Sequence, residues 1–248
     1  MFDKLTTLGR KRFALPFAAV LAIGALFGFI VYPMLVAPVA PGAGAPGAEL
    51  PPVPGPLPLG GSAVMVTVML TFMLSVFPSI VIHLITRAEP TAPRPQRIQL
   101  AVTRVLLAAA ASALGASVVV LVVGGIAGIA IPAGTVYPFL WLASFTLICA
   151  FTGLLALRTW AGGIAIVGCL ACGMATGNLP YEMLPSFWQN WLHPWVPQAS
   201  MADGVRQIYH FGAGPANSAA TYFLVVVALA LAVHCAAVVV PSRLRARA

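Results

Sequence analysis

Charge is what this sequence has least of. Only 7% of its 248 residues are charged, and the acids number five: Asp3, Glu49, Glu89, Glu182 and Asp203. Soluble domains carry roughly 25% charged and about 45–50% apolar residues. Here 60% are apolar, which excludes a water-soluble globule. The acids are scattered outside the long apolar runs. No serine, cysteine or carboxylate cluster with a plausible base stands out, so an intrinsic hydrolase is unsupported. A G-x-x-x-x-G-K-[ST] loop is also missing, which excludes an intrinsic ATPase. Cysteine is scarce as well. Cys169 and Cys172 form the one C-x-x-C, but within an apolar stretch without nearby charge. A zinc site normally has four ligands, and a thioredoxin-like pair needs a strand-to-helix context. Cys149 and Cys235 read as small packing residues. Neither a metal nor a resident cofactor is expected.

What the chain does have is apolar length. Residues 14–37, 62–86, 105–131, 138–157, 160–177 and 219–241 form six apolar runs. Crossing about 30 Å of hydrocarbon takes roughly 20 residues; the fifth run falls just short. The expectation is one all-α polytopic domain over residues 1–248 with six membrane-spanning helices. The first run resembles a secretory signal because "VAPVA" follows it. Signal cores are only about 7–15 residues long, so a retained anchor is favoured.

The net charge of +8 reports orientation, as the placement of the cations shows. Lys4, Arg10, Lys11 and Arg12 precede the first run; Arg87, Arg94, Arg97 and Arg104 follow the second. Arg158 follows the fourth, and Arg243, Arg245 and Arg247 follow the sixth. The intervening connections hold only Arg206. The positive-inside rule then puts both termini in the cytoplasm of a cell whose plasma membrane the chain crosses. Nucleic-acid binding is not expected.

The connections differ in kind. Residues 1–12 space Phe2, Leu5 and Leu8 beside cations, as a short helix on the anionic inner leaflet would or as a frayed basic tail would. Residues 37–61 are a Pro/Gly-rich outer loop. The cytoplasmic connection 87–104 reads either as a solvated turn, with a helix start near Gln96, or as a docking element. Gly24 and Gly28, Gly124 and Gly128, and Ala161, Ala165, Cys169 and Gly173 repeat every fourth residue, which favours close helix approach. His83 and His234 are the two ionisable candidates inside the runs. They either line a polar cavity or bond a neighbouring backbone or hydroxyl group as neutral rings.

Segment 178–218 carries the most specific signal. In "LPSFWQNWLHPWVPQ", Trp188, Trp191 and Trp195 fall at i, i+3 and i+7, one aromatic face of an interfacial helix. Pro194 and Pro197 should kink or end it. Beyond, Asp203 and Arg206 are spaced to pair, with Arg206 on an anionic headgroup or substrate as the alternative.

Six spans, cytoplasmic termini and the stretch "LPYEMLPSFWQNWLHPWVPQASMADGVRQIYHFG" resemble the type-2 permeases of ATP-binding-cassette exporters. The likeness is closest to the membrane half of the phage infection protein (YhgE/Pip) group. It rests on Pro185, Phe187, Gln189, the Pro194–Pro197 segment with its aromatic, and Gly204 with Arg206. The short 37–61 loop departs from that group, which has a large outer domain there. The resemblance implies a permease subunit for an amphipathic, lipid-linked or drug-like substrate, surrounded by membrane lipid and paired with a second permease. ATP would be bound by separate cytoplasmic ATPase subunits. By the same likeness Arg87, Glu89, Arg94 and Arg97 would couple to the ATPase, and residues 178–218 would form an outer re-entrant gate. The alternative is a non-transporting scaffold or regulatory subunit of an envelope or secretion assembly, favoured by the paucity of polar residues in the spans.

Overall fold

The computed structural model describes residues 60–87, 93–176 and 185–239, all within the unit Val53–Ala248. Among them the chain is helical, with no strand. The helices are α1 Gly60–Ile85, α2 Arg94–Val120, α3 Ala133–Leu157, α4 Thr159–Thr176, α5 Pro197–Phe211 and α6 Ser218–Val239. α2 continues into a π-helical turn, Leu121–Ile126. Backbone polar groups in hydrocarbon must be satisfied within the segment, which is why apolar runs of this length become helices.

Among the described residues four helices are long and apolar enough to cross a membrane: Ala63–Ile85, Arg94–Ile126, Ala133–Leu157 and Ser218–Val238. The fifth apolar run becomes a shorter apolar helix, Thr159–Gly173. The first run, 14–37, the tail 1–12 and the loop 37–59 lie outside the described residues, as do Glu89 and residues 177–184.

α3 is the central helix, packed against α1, α2, α4 and α6. α1 and α2 run antiparallel: Leu74 meets Gly115 while, toward the other end, Thr86 meets Arg104. Gly115 has no Cβ to hold the helices apart, and one placed there would touch Leu74 Cβ and the Ser144 hydroxyl. α2 and α3 are antiparallel too. Tyr137 and Trp141 of α3 donate to the carbonyls of Ala113 and Ala109 (3.4 and 3.3 Å). Aromatic contacts fill the interior, with Phe72 edge-on to Phe151 at 6.1 Å and Phe139 edge-on to Phe223 at 5.9 Å.

Two boundaries differ from the sequence expectation. The helix start expected near Gln96 falls two residues earlier, at Arg94, because Pro93 is extended and Pro95 sits in the first turn, where a missing N–H costs nothing. The third run stops at Ile126, and Gly128 lies beyond it in a left-handed turn (φ 66°). Gly124 and Gly128 therefore do not share a helix face.

Candidate functional site

The strongest polar feature of the bundle lies on α1. Thr67, Thr71, Ser75 and Ser79 recur every fourth residue, share one face, and are at most 1% exposed. Each hydroxyl donates to the carbonyl four residues earlier, at 2.6–2.8 Å. That back-bonding satisfies the proton locally and bends helices. Pro78, in the same stretch, removes a further backbone donor. With its own proton committed to Thr71, Ser75 accepts from Ser144 of α3 at 2.9 Å. His83 and then Thr86 continue the face toward the end of α1, both buried.

One end of this hydroxyl face is closed by α5. Thr67 donates to Ala63, so the Tyr209 hydroxyl is the donor in their 3.0 Å contact. Burial pushes the Tyr209 hydroxyl up to about 12, with the Thr67 hydrogen bond acting the other way, so at neutral pH it remains a neutral donor. α5 is amphipathic. Its buried face runs Gln198, Ala199, Met201, Ala202, Gly204, Val205 and Ile208. Pro197 opens it in a position suited to a fixed φ, and Gly212 ends it in the left-handed conformation (φ 63°). A Cβ on Gly204 would overlap the Phe139 ring, so glycine is what lets α5 seat on α3. On α4, Gly173 leaves room for Gln198, whose amide donates to the Cys169 carbonyl at 2.8 Å. Two members of the small-residue repeat thus seat α5. Among the described residues Gln198 Oε1 is buried without a partner.

The tryptophan segment leads into α5 and departs from the expected geometry. Trp188–Leu192 is a π-helical turn and His193–Trp195 a 3-10 turn. Wider π turns bring residues four apart into line better than residues three apart. The exposed aromatic face is accordingly Phe187, Trp191 and Trp195, at 60, 70 and 77% exposure, with Trp188 half-buried. Pro185 and Pro194 are exposed, and Gln189 is half-buried. Tyr222 of α6 donates to the Trp195 carbonyl (3.2 Å), tying the segment to the bundle. Asp203 and Arg206 pair at 2.8 Å, and His193 approaches the other carboxylate oxygen at 3.5 Å. Part-exposed pairs of this kind contribute about 1 kcal/mol or less.

At the opposite end, Arg104 is buried and donates to the Thr86 hydroxyl (2.9 Å) and carbonyl (2.7 Å). It caps α1 at the negative end of the helix dipole. His234 Nε2 lies 3.1 Å from the Cys149 carbonyl and 3.4 Å from the Thr152 hydroxyl. His234 thus has a backbone carbonyl and a hydroxyl as neighbours, and no hydrogen bond joins His83 to His234 among the described residues. Arg87 and Arg94 are exposed and Arg97 is half-buried near this end. Among the described residues no group of His, Cys, Asp and Glu could hold a metal ion. An apolar groove of about 570 Å³ lies beside the π turn of α2, lined by Leu121, Gly124, Ile131 and Tyr137.

The sequence reading passed over the hydroxyl face, Arg104 as a cap, and Tyr209. A test for Ser/Thr at i, i+4, i+8 and i+12, ending on His83, would have found the first of these. No protein-family model, curated protein or solved structure matches the chain.

Proposed function

We propose that the chain is the permease subunit of an ATP-binding-cassette type-2 exporter. It moves an amphipathic, lipid-linked or drug-like substrate outward, driven by a separate cytoplasmic ATPase and paired with a second permease. The observation that carries this reading is the buried hydroxyl face of α1, four hydroxyls at one spacing along the bundle interior. Hydroxyls in a helix that needs none for solubility suit a path that wets when helices part. α5 and the aromatic turn before it would then be the outer gate. Trp191 and Trp195 would rest at the headgroup boundary, where an apolar ring with one polar N–H is favoured. Six spans, cytoplasmic termini and a plasma-membrane location belong to the same reading, with Arg87, Glu89, Arg94 and Arg97 facing the ATPase.

Gentle solubilisation of the tagged chain should bring down an ATPase. Substituting Glu89 and Arg94 together should abolish substrate-stimulated ATP hydrolysis while the subunits stay assembled. Repeated purification without any ATPase would sink the exporter. The second reading, a non-transporting scaffold, is favoured by how tightly the hydroxyl face is packed, and it predicts normal assembly with no substrate-dependent ATP hydrolysis.

A further inference from the structure

We propose that the slot beside the π turn of α2 binds one acyl chain of a phospholipid from the surrounding bilayer. The inference stands whether or not the chain transports.

The slot is made by a turn wider than an α-helix and by the chain doubling back along it. The π turn Leu121–Ile126 forms one wall; residues 129–131, returning toward α3, form the other, with Tyr137 of α3 at the seam. The return lies against Gly124, where a Cβ would come within 3.3 Å of Ile131 Cγ1. One residue on, a Cβ at Gly125 would meet nothing nearer than Leu121 Cδ1, at 3.9 Å. The first glycine lets the walls join and the second leaves the slot open. Its volume of about 570 Å³ is that of a small-molecule site.

Polarity decides what enters. Two hydroxyls border the slot, and both donate to one carbonyl: Ser117 to Ala113 at 2.9 Å, and Tyr137 to the same oxygen at 3.4 Å. One turn along α3, Trp141 donates to Ala109 at 3.3 Å. In the return, the amides of Ala127 and Ile129 donate back to the carbonyls of Val122 and Val123. These protons are all committed. The other lining side chains are aliphatic or glycine, so a sugar or a charged group would give up its water here for no donor. Hydrocarbon gives up nothing.

Position decides the source. Leu114, Val118 and Leu121 share one face of α2 and are 69, 43 and 64% exposed. In a bilayer that face meets lipid. Leu121 is also part of the slot, so a chain lying on this face enters the slot without crossing the protein. The slot lies at the α5 end, since Tyr137 is two residues from Phe139, against which Gly204 of α5 seats. Here α2 ends and α3 begins, the level at which the acyl chains of one leaflet start. A helix from a second copy fits less well, being about 10 Å wide beside a far wall of three residues.

The test uses the full chain in phosphatidylcholine vesicles doped with phosphatidylcholine that carries a diazirine partway along one acyl chain. Adducts formed on illumination are mapped by mass spectrometry. Those at Leu121 and Ile131 should saturate as the probe fraction rises. Adducts at Leu224, exposed on α6 toward the same end of the bundle, should rise in proportion to the probe. Gly125→Phe fills the slot and should lower its adducts roughly tenfold, with those at Leu224 unchanged. If that variant does not fold, saturation in the unaltered protein still decides. Slot adducts that rise in proportion as at Leu224 would reduce the slot to ordinary bilayer contact. That result, undiminished slot adducts in folded Gly125→Phe, or a photoactivatable leucine analogue at position 121 that links to a second copy of the chain and not to lipid, would each overturn the site.

Discussion

α1 and α2 are neighbouring apolar helices of nearly equal length, and each carries a stripe with a period of four. On α1 the stripe is Thr67, Thr71, Ser75 and Ser79, and it is buried. On α2 it is Ile98, Val102, Leu106, Ala110, Leu114 and Val118, and it is exposed, the large members by 43–69%. A soluble bundle would bury the second stripe and expose the first. The inversion shows what solvent each helix is built for. Lipid gains nothing from burying leucine, so aliphatic side chains face outward while hydroxyls find partners inside.

The comparison can be broken by exchanging the chemistries. Leu114→Arg puts a charge on the lipid-facing stripe and should cost about 3 kcal/mol of insertion, read as loss of membrane-integrated protein. Full insertion at wild-type levels would mean that this face is not in lipid. Gly115→Leu, one residue away on the packed side, should destabilise by about 2 kcal/mol in a detergent melt, because the side chain must displace Leu74 or Ser144. Tyr209→Phe removes the donor to Thr67 and should cost about 1 kcal/mol. An unchanged melt would show that α5 does not close this end. Leu106→Ala, on the exposed stripe, should change the melt by less than about 0.5 kcal/mol. A large loss there would place Leu106 in a contact with another subunit.

Much of this was legible in the sequence because lipid imposes few solutions. Apolar runs near residues 62–86, 138–157 and 219–241 became the helices α1, α3 and α6 with ends shifted by a few residues. The Asp203–Arg206 spacing also became a contact. Misses came where local geometry departs from the ordinary helix. The π turn at Trp188 shifted the aromatic face onto Phe187, since i, i+3 arithmetic assumes 3.6 residues per turn. Arg104 read as a loop cation because its pairing with Thr86 spans two helices and leaves no local trace. The hydroxyl face escaped notice because attention to ionisable groups makes the spans look poor in polar residues. Serine and threonine hide easily in an apolar run, since each can bond its own helix.

Cysteine accessibility along the two stripes tests the central claim most directly. In a background lacking the four native cysteines, Ser75→Cys and Leu114→Cys would be exposed to a membrane-impermeant thiol reagent in resting and in energised cells. Ser75→Cys should be protected at rest and react when the cells are energised, with Leu114→Cys unreactive in both states. A Ser75→Cys that never reacts, or that reacts no faster than Leu114→Cys, would contradict the hydroxyl face as a path through the bundle.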